Sequence, residues 1–254
     1  MIDSQNIPLQ AVEIEINHAC NRSCSYCPNS IQERKTKGTM SKELYLLILD
    51  QLKRVNFSGR ISYDFYNEPM LHPELAEFVL MTKIALPKSK VHLYTNGTLL
   101  TEEKFKLLIE SGVDKIIATR HENDMNDANY VFEKVYQELP IHLKAKVDYR
   151  THNELILVNR GGLLKQISAT GLGLTPCFIP SHMLTITVDG RVLSCFEDFN
   201  ENLIFGDLKS ENLIDIWHKD TFTQFRKNLQ KGLRHLHSPC QECSRQNALP
   251  PFDV

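Results

Sequence analysis

The chain has 254 residues, 42% of them hydrophobic, enough for a sizeable core and for one α/β domain with an appendage. A formal net charge of -2 leaves no basic footprint for nucleic acid or an anionic membrane, and no apolar run approaches the length of a membrane span. The first ten residues show neither the basic start nor the apolar stretch of a signal segment, so a cytoplasmic protein with small or neutral partners is expected.

In chain order, residues 12–17 alternate apolar with polar and predict a strand, followed by a loop with three cysteines. Leu44, Leu47, Ile48 and Leu52 then recur at helical spacing, with Ser41 placed to cap the helix. The unit repeats: strand 60–66 with helix 73–84, strand 91–95 with helix 101–111 closed by Gly112, and strand 115–119 with helix 128–139. A fifth strand is expected over 141–149. Repeated β-α units call for a parallel sheet, doubly wound or barrel-like. A barrel carries its chemistry on the loops at the carboxyl ends of its strands. Asn17 leads there into the cysteine loop, Tyr66 into Asn67-Glu68-Pro69, and Thr95 into Asn96-Gly97. Five such units predict a partial TIM-type β/α barrel whose open face another element must close.

After residue 172 the pattern changes to a hairpin, 184–188 and 192–195, joined by a two-residue Asp189-Gly190 turn. A helix near 213–217 and an amphipathic stretch over 222–233 follow. The expected division is therefore a barrel over 1–168 and a small domain over 169–254, one that needs a metal to hold its shape. Trp217 and Phe222 read as packing residues.

Seven cysteines are too many for a reduced compartment unless metal holds them, and an odd number does not pair cleanly. They divide into Cys20, Cys24 and Cys27 near the start and Cys177, Cys195, Cys240 and Cys243 in the last third. Three thiolates leave one iron of a 4Fe-4S cluster open to a small molecule, whereas four saturate the cluster. The residues alone also allow zinc, which C-x2-C pairs serve well, or ordinary buried thiols.

The spacing Cys20-x3-Cys24-x2-Cys27, with Tyr26 directly before the last cysteine, resembles the motif of the radical S-adenosylmethionine (SAM) family. The later four cysteines resemble the Twitch domain, the short form of the SPASM appendage. Further segments are similar to the aminocyclitol dehydrogenases of that family: Cys20-Asn21-Arg22, Tyr26 to Ser30, Phe65-Tyr66 with Glu68-Pro69, Tyr94 to Gly97, Asn159 to Gly162, Cys195 to Asn200, and Asp215 to His218. Residues 120–127 differ from them. The resemblance implies two 4Fe-4S clusters and SAM as cofactors, and a flavodoxin or ferredoxin as electron donor. It places Tyr26 against the adenine and Glu68 on the SAM amino group, with Asn67 where a glycine is usual and Asn96 also at the cofactor. By itself Glu68 would read as a solvated loop residue, Tyr94 as a half-buried strand aromatic and Arg160 as an exposed turn residue.

The same resemblance makes Tyr94, Arg160 and Glu197 contacts to a small hydroxyl-rich substrate, an aminocyclitol or amino sugar. Arg160 would donate hydrogen bonds and stabilise charge, since a guanidinium stays protonated, while Glu197 would accept a proton. The implied reaction oxidises a secondary alcohol to a ketone: a 5'-deoxyadenosyl radical removes hydrogen from carbon, and the second cluster receives the further electron. Three alternatives stand beside it. An epimerase of a sugar or peptide would return hydrogen from a cysteine, and three plus four leaves none. A peptide cross-linking enzyme would bring a leader-binding domain, of which the first ten residues show no sign. A non-catalytic zinc module would need neither SAM nor a substrate.

Overall fold

The computed structural model describes residues 9–127, 129–167 and 175–245. One sheet of eight strands organises them in the order β5-β4-β3-β2-β1-β6-β7-β8. β1 (Ala11–Ile14), β2 (Arg60–Ser62), β3 (Lys90–Thr95), β4 (Lys115–Arg120) and β5 (Val147–Thr151) are parallel, as the β-α repeats require. The connecting helices are α1 (Lys42–Arg54), α2 (Leu75–Ala85), α3 (Glu102–Ser111) and α4 (Val131–Glu138). Ser41 and Thr101 cap α1 and α3 by accepting from the amides of Leu44 and Lys104, and Gly112 ends α3 with φ +111°.

Three expectations shift. The strand expected over 60–66 ends at Ser62. Over 141–149 the first part is α5 (Ile141–Lys144), one turn that starts after Pro140, and the strand begins only at Val147. The hairpin consists of β6 (Met183–Ile186), preceded by the turn α6 (Ile179–His182), and β7 (Arg191–Leu193). Thr187 still pairs with Arg191, its amide donating to Arg191 O, so the connection is the three-residue loop 188–190 and not a two-residue turn. Gly190 donates its amide to Thr187 O and takes φ +90°, the left-handed residue that such loops use. β8 (Ile204–Asp207) extends the hairpin and was not anticipated. The helices α7 (Leu213–His218) and α8 (Asp220–Gln230) follow it.

β6 lies beside β1 in parallel, pairing Ala11 with Met183 and Ile14 with Ile186, so the hairpin continues the barrel sheet. The boundary expected between 168 and 169 falls outside the described residues. Buried ion pairs bind the same two parts of the chain. Arg34, just beyond the cysteine loop, lies 3.2 Å from Glu15 and 2.9 Å from Glu201, and Arg191 of β7 meets Glu201 at 2.5 Å.

The strands have two unlike faces. Val12, Ile14, Ile61, Val91, Leu93, Ile116 and Leu184 pack with Ile48, Leu52, Phe78 and Leu108 of the helices in the main core. The alternate residues form a polar inner face. Register places Ser62, Glu13 and Thr185 in one row across β2, β1 and β6, and Arg60, Tyr94 and Arg150 share that side. Among the described residues no helix is long and apolar enough to cross a membrane.

Candidate active site

The cysteine loop leaves the carboxyl end of β1 and is held from several directions. Asn17 Nδ2 donates to Ala19 O (2.9 Å) and Glu68 O (3.2 Å), and Asn29 Nδ2 donates to Tyr66 O (2.6 Å). Asn67 donates to Asn17 Oδ1 (3.1 Å) and accepts from the amide of Phe65 (2.9 Å), so its side chain ties two strand-end loops together. The segment after β4 forms a second wall. Glu122 accepts from Ser25 N (2.7 Å) and Ser25 Oγ (2.9 Å), Asp124 pairs with Arg22, and His121 Nδ1 meets the Tyr26 hydroxyl. Burial, with Arg22 and His152 nearby, lowers His121 to about 4. The ring of Tyr26 stacks on His152 with centroids 5.2 Å apart.

Glu68 is 2% exposed and accepts three hydrogen bonds, from Met70 N (3.0 Å), Thr95 Oγ1 (2.7 Å) and Asn96 N (2.7 Å). A carboxylate offers about four acceptor sites, so one remains for a donor such as an amine. Asn96 Nδ2 donates to Asn21 Oδ1 at 2.7 Å and lies 4.0 Å from Cys20 Sγ. Glu68 and Asn96, far apart in sequence, thus meet beside the three cysteines. All seven cysteines are unbonded to one another. Burial raises their thiols, Cys20 to about 11.

Cys177, Cys195, Cys240 and Cys243 line one cavity together with Glu197, Arg234 and Arg245. Burial raises these thiols as well, and Cys177 adds its charge to both Cys195 and Cys240, which reaches about 12. Among the described residues no three His, Cys, Asp or Glu side chains converge as they would on one metal ion. The four sulfurs instead surround a space, and a soft, all-thiolate donor set of this kind suits an iron-sulfur group.

Glu197, 3% exposed, lines the same cavity. Its Oε1 accepts from Arg245 Nε (2.9 Å) and Nη2 (2.6 Å), and Arg160 approaches to 3.5 Å; its Oε2 is buried without a hydrogen-bond partner. Burial disfavours the Arg160 cation, but Glu197, Tyr66 and Cys27 outweigh it and hold the guanidinium charged. The run Arg160-Gly161-Gly162 has φ of +50°, +63° and +91°. A Cβ on Gly161 would lie 2.7 Å from Pro239, and one on Gly162 would lie 2.6 Å from Glu242 Cβ, so only glycine lets this loop press against the segment bearing Cys240 and Cys243. Asn159 fastens the contact by donating to Glu242 O (2.7 Å) and accepting from Ser244 N (2.8 Å). Tyr94 is half-buried on the inner face, where its hydroxyl accepts from Arg60 Nη1 (2.7 Å). Arg245 escaped the sequence reading, because a lone arginine after the last cysteine belongs to no motif; only folding brings it to Glu197.

Known proteins resemble the chain in both parts. The model of the radical SAM superfamily matches residues 14–118, and that of the SPASM iron-sulfur cluster-binding domain matches 177–244. The S-adenosyl-L-methionine-dependent 2-deoxy-scyllo-inosamine dehydrogenase of Niallia circulans is 42% identical over 233 residues, 92% of each chain. A tungsten-containing aldehyde ferredoxin oxidoreductase cofactor-modifying protein of Pyrococcus furiosus is 33% identical over 103 residues, 41% of this chain and 28% of its own. Among solved structures, BtrN in complex with AdoMet and 2-DOIA superposes with a TM-score of 0.88 at 40% identity, covering 95% of this chain and 96% of that one. BtrN in an open conformation gives 0.74 at 35% identity, covering 93% and 92%. With its partial barrel, its three-cysteine loop and its four-cysteine appendage, the chain belongs to the radical SAM superfamily and carries an iron-sulfur cluster-binding SPASM-type domain.

Proposed function

We propose that the chain oxidises a secondary alcohol of an aminocyclitol or amino sugar to a ketone. In this reading Cys20, Cys24 and Cys27 hold the SAM-binding cluster, with Tyr26, Glu68 and Asn96 at SAM, and Cys177, Cys195, Cys240 and Cys243 hold the auxiliary cluster. When bound, these groups supply abstraction of a hydrogen atom from carbon and a sink for the second electron. The observation that carries the reading is the Arg160–Glu197 pair, 3.5 Å apart: the Arg160 guanidinium favours the thiolate form of Cys27, and Glu197 lines the cavity of Cys195 and Cys243. A substrate held there would lie between the two groups of thiols.

The residues then divide the remaining work. Arg245 occupies Glu197 Oε1, which leaves Oε2 to accept the proton of the substrate hydroxyl. Arg160 and the Tyr94 hydroxyl donate to other hydroxyls, and burial keeps Tyr94 a neutral phenol by raising it. The 42% identity to a dehydrogenase of 2-deoxy-scyllo-inosamine supports the substrate class. A flavodoxin or ferredoxin as reductant and a cytoplasmic setting complete the proposal, since seven unbonded thiols suit a reducing compartment.

The test is anaerobic turnover of the reconstituted enzyme with 2-deoxy-scyllo-inosamine and related cyclitols, read by mass as loss of two hydrogens and by deoxyadenosine release. Cys240→Ala is expected to keep deoxyadenosine formation and to lose the ketone. Undiminished ketone from that variant would overturn the proposed role of the auxiliary cluster.

A further inference from the structure

Two segments that follow separate groups of cysteines grip each other. Residues 32–36 begin five positions beyond Cys27, and residues 199–201 begin four beyond Cys195. Four side chains of the first segment end on the second. Gln32 Nε2 donates to Asn200 Oδ1, Arg34 Nη1 to Phe199 O, Lys35 Nζ to Asn200 O (2.5 Å) and Thr36 Oγ1 to Glu201 Oε2 (2.7 Å). Sheet pairing alone does not bring them together, since β6 separates β1 from β7.

Arg34 is the centre of this grip. Its side chain is 2% exposed and faces two carboxylates that are buried more deeply still, Glu15 at 3.2 Å and Glu201 at 2.9 Å. The guanidinium carbon also lies 4.5 Å from the centre of the Phe65 ring and 5.0 Å from that of Phe199. Five donors in one rigid plane serve both carboxylates and the Phe199 carbonyl together, a task for which lysine has the wrong shape.

The grip reaches the site by two short routes. Glu197 stands two residues before Phe199 on the same loop. Phe199 in turn packs edge-on against Tyr66, with centroids 4.8 Å apart, and the Arg160 guanidinium lies 5.8 Å from the centre of the Tyr66 ring.

We propose that Arg34 is a positioning residue for the oxidation: by holding residues 199–201 it fixes Glu197 and Arg160 relative to the three-cysteine loop. On the function proposed above, Arg34 governs ketone formation and not the release of deoxyadenosine, which Glu197 does not serve.

The experiment uses reconstituted holoenzyme as wild type, Arg34→Gln, Arg34→Lys and the double variant Gln32→Ala/Lys35→Ala. It measures ketone and deoxyadenosine from 2-deoxy-scyllo-inosamine, SAM affinity by calorimetry, and amide hydrogen exchange over 196–203. Arg34→Gln is expected to lower the ratio of ketone to deoxyadenosine about tenfold, less than the roughly 100-fold of a full 1 Å misplacement because Arg245 still holds Glu197. SAM affinity should stay within about twofold, and exchange over 199–201 should quicken about tenfold. Arg34→Lys keeps the charge and should recover about threefold of the ratio. The double variant alters only exposed side chains and should lower the ratio about threefold. Ketone and deoxyadenosine falling in parallel in Arg34→Gln, or an unchanged ratio, would overturn the assignment. Should Arg34→Gln fail to retain iron, the double variant decides, and an unchanged ratio there would overturn it. Wild-type enzyme that forms no ketone overturns the proposed function instead; exchange, which needs no substrate, then shows whether residues 32–36 hold 199–201.

Discussion

Arg245 supplies the sharpest prediction, because its contribution can be worked out from the contacts it makes. Both of its hydrogen bonds, at 2.9 and 2.6 Å, end on Glu197 Oε1, and its guanidinium lies 4.9 Å from the centre of the Phe196 ring. Breaking a buried ion pair costs about 3–5 kcal/mol, but Arg160 remains 3.5 Å from the same carboxylate and offsets part of it. A net loss of about 2–3 kcal/mol is therefore expected for Arg245→Ala. In catalysis the effect is one of aim: with Oε1 released, Glu197 rotates toward Arg160 and Oε2 leaves its place. Displacement of that order lowers kcat/KM about 100-fold. Arg245→Lys keeps the charge and one hydrogen bond, and should recover about tenfold of the loss. The assay is anaerobic single-turnover kinetics on protein whose iron content and electron paramagnetic resonance spectrum match wild type, so that cluster loss is separated from misplacement of Glu197. Wild-type kcat/KM in Arg245→Ala with both clusters present would refute the reasoning.

Other outcomes are equally specific. Gly162→Ala places a Cβ 2.6 Å from Glu242 Cβ at φ +91°, and should cost about 1–3 kcal/mol and speed chelator-driven iron loss from the second cluster, read as bleaching of its visible absorbance. Glu68→Gln turns an NH2 donor toward the amide N–H of either Met70 or Asn96, and should weaken SAM binding and lower thermal stability by about 1–3 kcal/mol, checked by calorimetry. The raised Glu13 carries a sign that can be checked. Its folded form holds a proton that the unfolded chain releases near pH 4.3, so its stabilising contribution is full below that value and is lost as pH rises through the raised folded value. Glu13→Gln should therefore be more stable than wild type at pH 8 and closer to it at pH 5 in denaturant titrations; an unchanged gap would sink the argument.

Local chemistry made much of the barrel legible. Ser41, Thr101 and Gly112 act through neighbours three or four residues away, and α1 and α3 fall where they point. Failures lie where distant partners decide. Ile141 and Leu143 have the apolar character of a strand, yet Pro140 starts a helical turn there and the pairing with β4 begins only at Val147. β8 is a strand because β7 offers it an edge, which its own Gly206 does not announce. In the site, the cysteines were readable from spacing and the strand-end loops from the β-α rhythm. Arg245 and the inward row of Glu13 and Thr185 were not, since their meaning comes from residues some 50 to 170 positions away in the chain.

The place of β1 also constrains how the chain can be made. Vectorial synthesis delivers β1 some 170 residues before β6, and until β6 emerges from the ribosome one flank of β1 stays bare. Through that interval an apolar ribbon edge is open to any passing strand, the usual route to inclusion bodies. Chaperone cover from the emergence of β1 to that of β6 should raise the yield of usable protein.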